Sequence, residues 1–332
     1  MPKPTPSSEQ AREYIRRFQG SPKQAIARAL YRDFPELYSS VEVARSCVRT
    51  QTGANGQQRS RTPHNPALHG HQSATFARMP EGIRDIHDFE PFAIEPGRTL
   101  VLNDLHIPFH DRAAIEIAVK WGRSRKPDTI LINGDLADCY AQSKWETDPR
   151  KRKLKNEVAA IKQFFGWMRS QFPKARFVWK FGNHEERHER YVMVRCPELL
   201  DMPMMQLDKI CGASDFGIET VREMQPITLG NLYALHGHEY KFAISNPVNP
   251  ARGLYLRAKK STICGHFHQE SSHTESDISS DITTCWSVAC LCDLHPRYMP
   301  LNKWSHGCAD VEHKSDGSFS VENKRIFRGA ML

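Results

Sequence analysis

At 332 residues the chain is long enough for one large domain or two smaller ones. Hydrophobic residues make up 39% and charged residues 25%, an ordinary globular balance, and no apolar run reaches the ~18–20 residues of a membrane span. The formal charge of +8 is lopsided: residues 1–62 carry eleven Lys or Arg against five Asp or Glu, so the remaining 270 residues are close to neutral. A basic module ahead of a neutral one predicts a polyanion partner, nucleic acid above all; the alternative is a solvated helical face. The opening MPKPTPSSEQ has no apolar core, so it does not read as a secretory signal. Nine scattered cysteines, an odd number, then predict reduced thiols and a cytoplasmic protein.

The first fifty residues predict three short amphipathic helices. Ala11, Tyr14, Ile15 and Phe18 share one helical face that Gly20 ends. Ser21 is the expected N-cap of the next helix, with Pro22 at its first position and Ile26, Ala29, Leu30 and Phe34 as its stripe. The third starts near Ser40, buries Val41, Ala44 and Val48, and stops at Gly53. Residues 1–55 thus read as a small all-α, helix-turn-helix-like module. Residues 56–95 read as a polar linker in which His64, His69 and His71 are linker histidines rather than ligands.

From residue 96 to 332 strands alternate with helices, the pattern of a layered α/β domain. Strands are expected at Thr99–Leu102, Thr129–Ile132, Arg176–Trp179, Leu232–Leu235 and Ser261–Cys264. Helices are expected at Asp111–Arg123, Lys153–Gln171 and Pro250–Ala258, and a hairpin turning on Asp316-Gly317 closes the chain. Each of the five strands runs directly into groups able to bind a metal: Asp104-Leu105-His106, Gly134-Asp135, Gly182-Asn183-His184-Glu185, His236-Gly237-His238 and Gly265-His266-Phe267-His268. Loops at the carboxyl ends of such strands converge on one crevice. Carboxylates, imidazoles and an amide oxygen suit Mn, Fe or Zn better than Ca or Mg. In an extended segment residues i and i+2 face one way, so Asp-x-His and His-x-His could each present two ligands to one ion.

The series D-x-H, G-D, G-N-H-E, H-G-H and G-H-x-H, in this order over roughly residues 97–330, resembles the calcineurin-like metallophosphoesterase superfamily. With its helical head the layout looks like the phosphoesterases of phage and prophage genomes. The resemblance implies a β-sandwich flanked by helices with two divalent ions at one rim, Mn first, with Fe or Zn as alternatives. It implies Asp104, His106 and His268 on one ion, Asn183, His236 and His266 on the other, and Asp135 bridging them. His184 is then the catalytic histidine and Glu185 an orienting neighbour, while His238 lines the substrate pocket or caps a strand end.

Gly134-Asp135-Leu136-Ala137-Asp138-Cys139 lacks the arginine of the protein serine/threonine phosphatase pattern G-D-x-V-D-R-G, and Lys180-Phe181 precedes Gly182 where that pattern has Arg-Gly. The expectation is therefore a phosphodiesterase acting on nucleic acid. The alternatives are a phosphomonoesterase acting on a nucleotide, a protein or a nucleic-acid end, or a nucleic-acid-binding protein with a vestigial site. Cys285, Cys290, Cys292 and His295 form a weaker zinc candidate, because C-x4-C-x-C lacks the usual knuckle spacing. The run Arg150–Lys153 either meets substrate phosphate or is a solvated helix end.

Overall fold

The computed structural model describes residues 5–53, 82, 90–145, 147–151, 153–222, 224–240 and 248–332. The chain divides into two compact units, Met1–Asp85 and Ile86–Leu332. His64, His69 and His71 lie outside the described residues.

In the first unit α1 (Pro6–Arg17), α2 (Lys23–Asp33) and α3 (Val41–Gln51) enclose Ala11, Tyr14, Ile15, Ile26, Ala27, Leu30, Tyr38, Ala44 and Val48. Thr5 and Ser40 cap α1 and α3 through side-chain oxygens that accept Ser8 and Val43 N–H. The cap of α2 is Pro22 rather than Ser21, because the Pro22 carbonyl is the acceptor for Ala25 and Ile26 N–H. The Tyr14 hydroxyl donates to Asp33 at 2.8 Å, tying α1 to the end of α2. Arg16, Arg17, Lys23, Arg28 and Arg49 remain on the exposed surface.

The second unit is a two-sheet sandwich. One sheet has the order β13-β12-β11-β2-β3-β4-β5 and the other β1-β6-β7-β8-β10-β9. In the first, β2 (Gly97–Leu102), β3 (Thr129–Asn133), β4 (Arg176–Lys180) and β5 (Ile218–Val221) run parallel. The hairpin of β11 (His306–His313) and β12 (Phe319–Phe327), followed by β13 (Ala330–Met331), adds antiparallel strands to their edge. In the second sheet β7 (Leu232–Leu235), β8 (Thr262–Cys264) and β10 (Ile282–Ser287) run parallel. Around them lie β1 (Phe92–Ala93), β6 (Ile227–Leu229) and β9 (Ser271–Ser276).

Strand alternation sorts the core. Leu100, Leu102, Ile130, Ile132, Phe177 and Trp179 face α4 (Arg112–Arg125) and α5 (Leu154–Gln171), where they meet Ile115, Ala118, Ile161, Phe165 and Met168. The residues between them, Val101, Leu131 and Val178, face the second sheet and meet Ile227, Leu229, Leu232, Ala234 and Ile263. The strands β2, β3 and β4 are therefore apolar on both faces, which is why they read as continuous apolar runs. A further helix (Pro250–Ala258) covers the outer face of the second sheet through Ala251 and Leu254. Burial on both sides fixes register, and fixed register sets where each strand delivers its last residue.

Gly122 lies where α4 crosses β2, and a Cβ there would stand 2.5 Å from Leu100 Cδ2. Gly-to-Ala inside a helix ordinarily gains ~1 kcal/mol. Gly122→Ala is expected instead to cost ~1–3 kcal/mol through overpacking, read as a lower urea midpoint at unchanged slope. An unchanged or raised midpoint would show that α4 and β2 can part without loss.

Candidate active site

The strands end one to three residues before the polar groups, and the backbone then turns sharply. Asp104, His106, Asp135, His266 and His268 all adopt left-handed conformations, with φ of 52°, 50°, 50°, 69° and 57°. Each costs roughly 1–2 kcal/mol in a non-glycine residue, so five of them in one place mark a geometry imposed by the surrounding packing. This corrects the reason given above for the Asp-x-His and His-x-His spacing. Both members of each pair sit in left-handed turns past a strand end, so strand alternation does not aim them, and His266 joins Asp135 and His236 while His268 joins His106.

The glycines are there because metal-site atoms occupy the space of a side chain. A Cβ at Gly134 would lie 2.2 Å from His236 Nδ1, and one at Gly182 would lie 2.3 Å from Asp135 Oδ1. A Cβ at Gly265 would meet Asp104 Oδ2 at 2.7 Å.

All seven expected ligands and His184 come together. Asp135 Oδ2 is 3.2 Å from His236 Nε2, 3.7 Å from His106 Nε2 and 3.8 Å from His184 Nε2. Asp104 Oδ1 is 3.4 Å from His268 Nε2 and 4.0 Å from His236 Nε2, and the Asp104 carboxylate also accepts the His266 N–H. His106 Nε2 and His268 Nε2 face each other at 3.1 Å, and Asn183 Oδ1 is 3.2 Å from His236 Nε2. Among the described residues, Asp135 belongs to two groups with metal-binding geometry, one with His106 and His184 and one with His236 and His266.

The tautomers follow from the outer hydrogen bonds. His236 Nδ1–H donates to the Asn133 carbonyl at 2.9 Å, and His106 Nδ1–H to Asp138 Oδ1 at 3.1 Å. Each ring therefore turns Nε2 inward, the orientation of a metal-ligating imidazole. Two buried carboxylates, an amide oxygen and these nitrogens make a concentration of acceptors that needs positive charge among them. Burial opposes protonation, yet Asp135 and Asp104 push His236 up to about 10, and Asp104 pushes His268 up to about 9. His266, buried beside His236, falls to about 3. The donor set fits divalent cations, whose place protons take when no metal is bound.

A second layer fixes these groups. Glu185 accepts backbone N–H from Asp135, Ala137 and Gly182 at 3.0, 2.9 and 2.7 Å, locking two of the metal-site loops to one carboxylate. Burial and nearby Asp135 push Glu185 up to about 7, against the pull of those donors. Glu239 accepts His236 and Gly237 N–H and pairs at 3.0 Å with the fully buried Lys180, whose ammonium also donates to the Gln225 carbonyl. His184 stands at the start of α6 (Glu185–Arg195) with both ring nitrogens engaged. Nδ1–H donates to the Asp138 carbonyl at 2.9 Å, and Nε2 accepts from Arg187 Nη2 at 2.7 Å. His238 Nε2 lies 2.9 Å from Glu186.

Asp138, Arg187, Glu239 and Lys180 had no assigned role in the sequence reading. The faint signals for them are position alone, three residues after Asp135, His184 and His236, or directly before Phe181-Gly182. The zinc candidate does not assemble. Cys285 packs among apolar residues beneath the helix over the second sheet, and His295 Nδ1 is used on the Pro300 carbonyl. Cys292 instead lies 3.8 Å from His268 Nδ1. Within the Arg150–Lys153 run, Arg150 is paired with Asp148 at 2.8 Å and Lys151 stands 6.0 Å from the Phe109 ring centre.

A rim of buried carboxylates and imidazoles at the ends of sandwich strands defines a metallohydrolase. Residues 97–270, just over half of the chain, match the calcineurin-like phosphoesterase family, and the chain belongs to that family. It is a metal-dependent hydrolase of phosphoesters. It is 24% identical to the gene 54 protein of Mycobacterium phage L5 over 178 residues, which are 52% of this chain and 69% of that protein. Among solved structures, Vps29 of Entamoeba histolytica complexed with zinc aligns at 12% identity and a TM-score of 0.38, over 71% of this chain and 96% of its own. A dimetal phosphatase from Danio rerio aligns at 10% identity and 0.36, over 70% and 96%. No helix among the described residues is long and apolar enough to cross a membrane.

Because His236 and His268 are raised to about 10 and 9, the metal-free protein holds protons there that its unfolded chain releases near 6.5. Their contribution to metal-free stability is full below pH 6.5 and is lost as pH rises through 9 to 10. Loading with Mn(II) at pH 7.5 must expel those protons, roughly one or two per chain. Calorimetric titration in Pipes and in Tris should give heats that differ with buffer ionisation enthalpy. Identical heats in the two buffers would rule out protonated imidazoles at the site.

Proposed function

We propose that the chain is a dinuclear phosphodiesterase acting on nucleic acid, with manganese as its working metal. Asp104, His106 and His268 hold one ion, Asn183, His236 and His266 the other, and Asp135 bridges them. The observation that carries this reading is that Asp135 Oδ2 stands 3.7 Å from His106 Nε2 and 3.2 Å from His236 Nε2, one ligand from each set. Held by these residues, two divalent ions would supply Lewis acidity toward a water and the phosphoryl oxygens.

The protein's own groups set the rest. Both nitrogens of His184 are engaged by Asp138 and Arg187, so it is held beside the metals without serving them. Burial opposes a proton on His184, but Asp135 and Asp138 outweigh it, so Nε2 can exchange its bond from Arg187 for a proton and give that proton to the leaving oxygen, while Arg187 turns to a phosphoryl oxygen. Glu185 keeps the Asp135 and Gly182 turns in place through substrate binding. His238, braced by Glu186, lines the pocket. The basic first unit supports a nucleic-acid substrate, whose phosphates attract clustered Lys and Arg.

His184→Ala should keep metal content and lose roughly 10²–10⁴-fold in turnover of a chromogenic diester. Loss of metal with unchanged activity would make His184 a ligand, and faster turnover of monoesters than diesters would favour the phosphomonoesterase.

The binding of single-stranded DNA by the whole protein should weaken steeply with salt, and replacing Arg16, Arg28 and Arg49 by alanine should flatten that slope. An unaltered slope in the triple variant would leave those arginines as a solvated surface.

A further inference from the structure

We propose that the loop of residues 293–305 is a nucleobase-stacking platform, with Tyr298 and Trp304 receiving the base next to the phosphate being cut. This rests on the nucleic-acid reading above and deepens it.

The loop is anchored to the metal-site backbone at both ends. Asp293 N–H donates to the Phe109 carbonyl at 2.8 Å, and Ser305 N–H to the His268 carbonyl at 2.9 Å. Inside it, the Asn302 amide donates to the Leu294 and Met299 carbonyls at 2.6 and 2.8 Å, while its oxygen accepts Trp304 N–H at 2.8 Å. His295 Nδ1–H donates to the Pro300 carbonyl at 3.0 Å, closing the turn. The shape is therefore set before any ligand arrives, and little ordering entropy opposes binding.

This prearranged loop nevertheless exposes apolar side chains. Tyr298 is 74% exposed, Leu301 93% and Met299 40%. Scattered exposed hydrophobes need no explanation, but three within four residues beside an active site indicate a surface that something covers. The aromatic rings give the direction. Trp304 stands edge-on to His268 at 4.2 Å between ring centres, and Tyr298 stands 6.3 Å beyond Trp304. Although most of its ring is exposed, burial of the hydroxyl first and nearby Asp138 second hold Tyr298 above the usual phenol range, with Arg187 opposing them, and Asp138 and Arg187 are the two groups that engage His184. An aromatic path thus leads outward from the ring of one expected ligand, beside the group that meets the phosphate. A flat base joined through one sugar to that phosphate suits it, and stacking on aromatic faces tolerates any base.

The test uses the manganese-loaded whole protein and two p-nitrophenyl phosphodiesters, one of thymidine 5′-phosphate and one of the corresponding abasic deoxyribose phosphate. Stacking of one base is expected to raise kcat/KM for the thymidine ester by roughly 5- to 100-fold over the abasic ester, chiefly through KM. Tyr298→Ala should bring that ratio close to one, and Tyr298→Phe should keep it, with metal content equal in all three proteins. A ratio near one in the wild type, or one that Tyr298→Ala leaves intact, overturns the platform while the diesterase reading stands. Hydrolysis of p-nitrophenyl phosphate with neither diester turned over overturns both.

Discussion

The carboxylate of Asp135 is held from every side, and the rest of the site is arranged around it. Oδ1 accepts the His184 N–H, and Oδ2 faces the imidazoles of His106, His184 and His236 within 3.8 Å. The residue's own N–H is bound by Glu185, and the space beside Oδ1 is open only because residue 182 is glycine. Four segments far apart in sequence must therefore keep their register for this one group to be oriented. A buried carboxylate among imidazole nitrogens is unfavourable without a cation. The fold gathers acceptor groups whose charge suits divalent ions.

That arrangement of acceptors is maintained by the sandwich beneath it. Asp104, His106 and Asp135 keep left-handed turns because β2 and β3 are gripped by α4 and α5 on one face and the second sheet on the other, and His266 and His268 because β8 is gripped by the first sheet through Ile263 and by the helix Pro250–Ala258 through Cys264. Where the strands are locked in register, the turns that follow have no freedom to relax to commoner backbone angles. The charged supports are buried in the same way. Lys180, wholly inaccessible, holds Glu239, and Glu239 holds the backbone that presents His236. Broken on one side only, such a pair leaves an uncompensated buried charge, so its function is to prevent drift rather than to add net stability.

Substrate-facing chemistry is assigned by hydrogen bonds more than by residue type. His106, His184 and His236 are all buried histidines beside Asp135, yet His106 and His236 turn free nitrogens inward while His184 spends both on Asp138 and Arg187. The same side chain is thereby given two different settings, Nε2 aimed at Asp135 in two places and both nitrogens tied to neighbours in the third. Arg187 supplies, one helical turn into α6, a guanidinium that the second motif lacks at Cys139.

The sequence by itself determined the family, the layered α/β class and the identity of the groups that converge, because apolar runs ending in Asp, Asn and His survive as local patterns. It also placed β2, β3, β4, β7 and β8 to within two residues, since strands buried on both faces or nearly so are continuous in hydrophobicity. It did not give β5, β6 and β9, whose short, partly exposed runs carry no comparable signal. The positive φ angles, the Lys180–Glu239 pair, the Asp138–His184–Arg187 clamp and the approach of Trp304 to His268 were decided only in three dimensions. Each depends on which side chains meet across strands and loops distant in sequence, and pairing of that kind leaves no period along the chain. The zinc candidate shows the reverse: Cys285 and Cys292 are neighbours in sequence, but β10 ends between them, and the fold sends one beneath a helix and the other to His268.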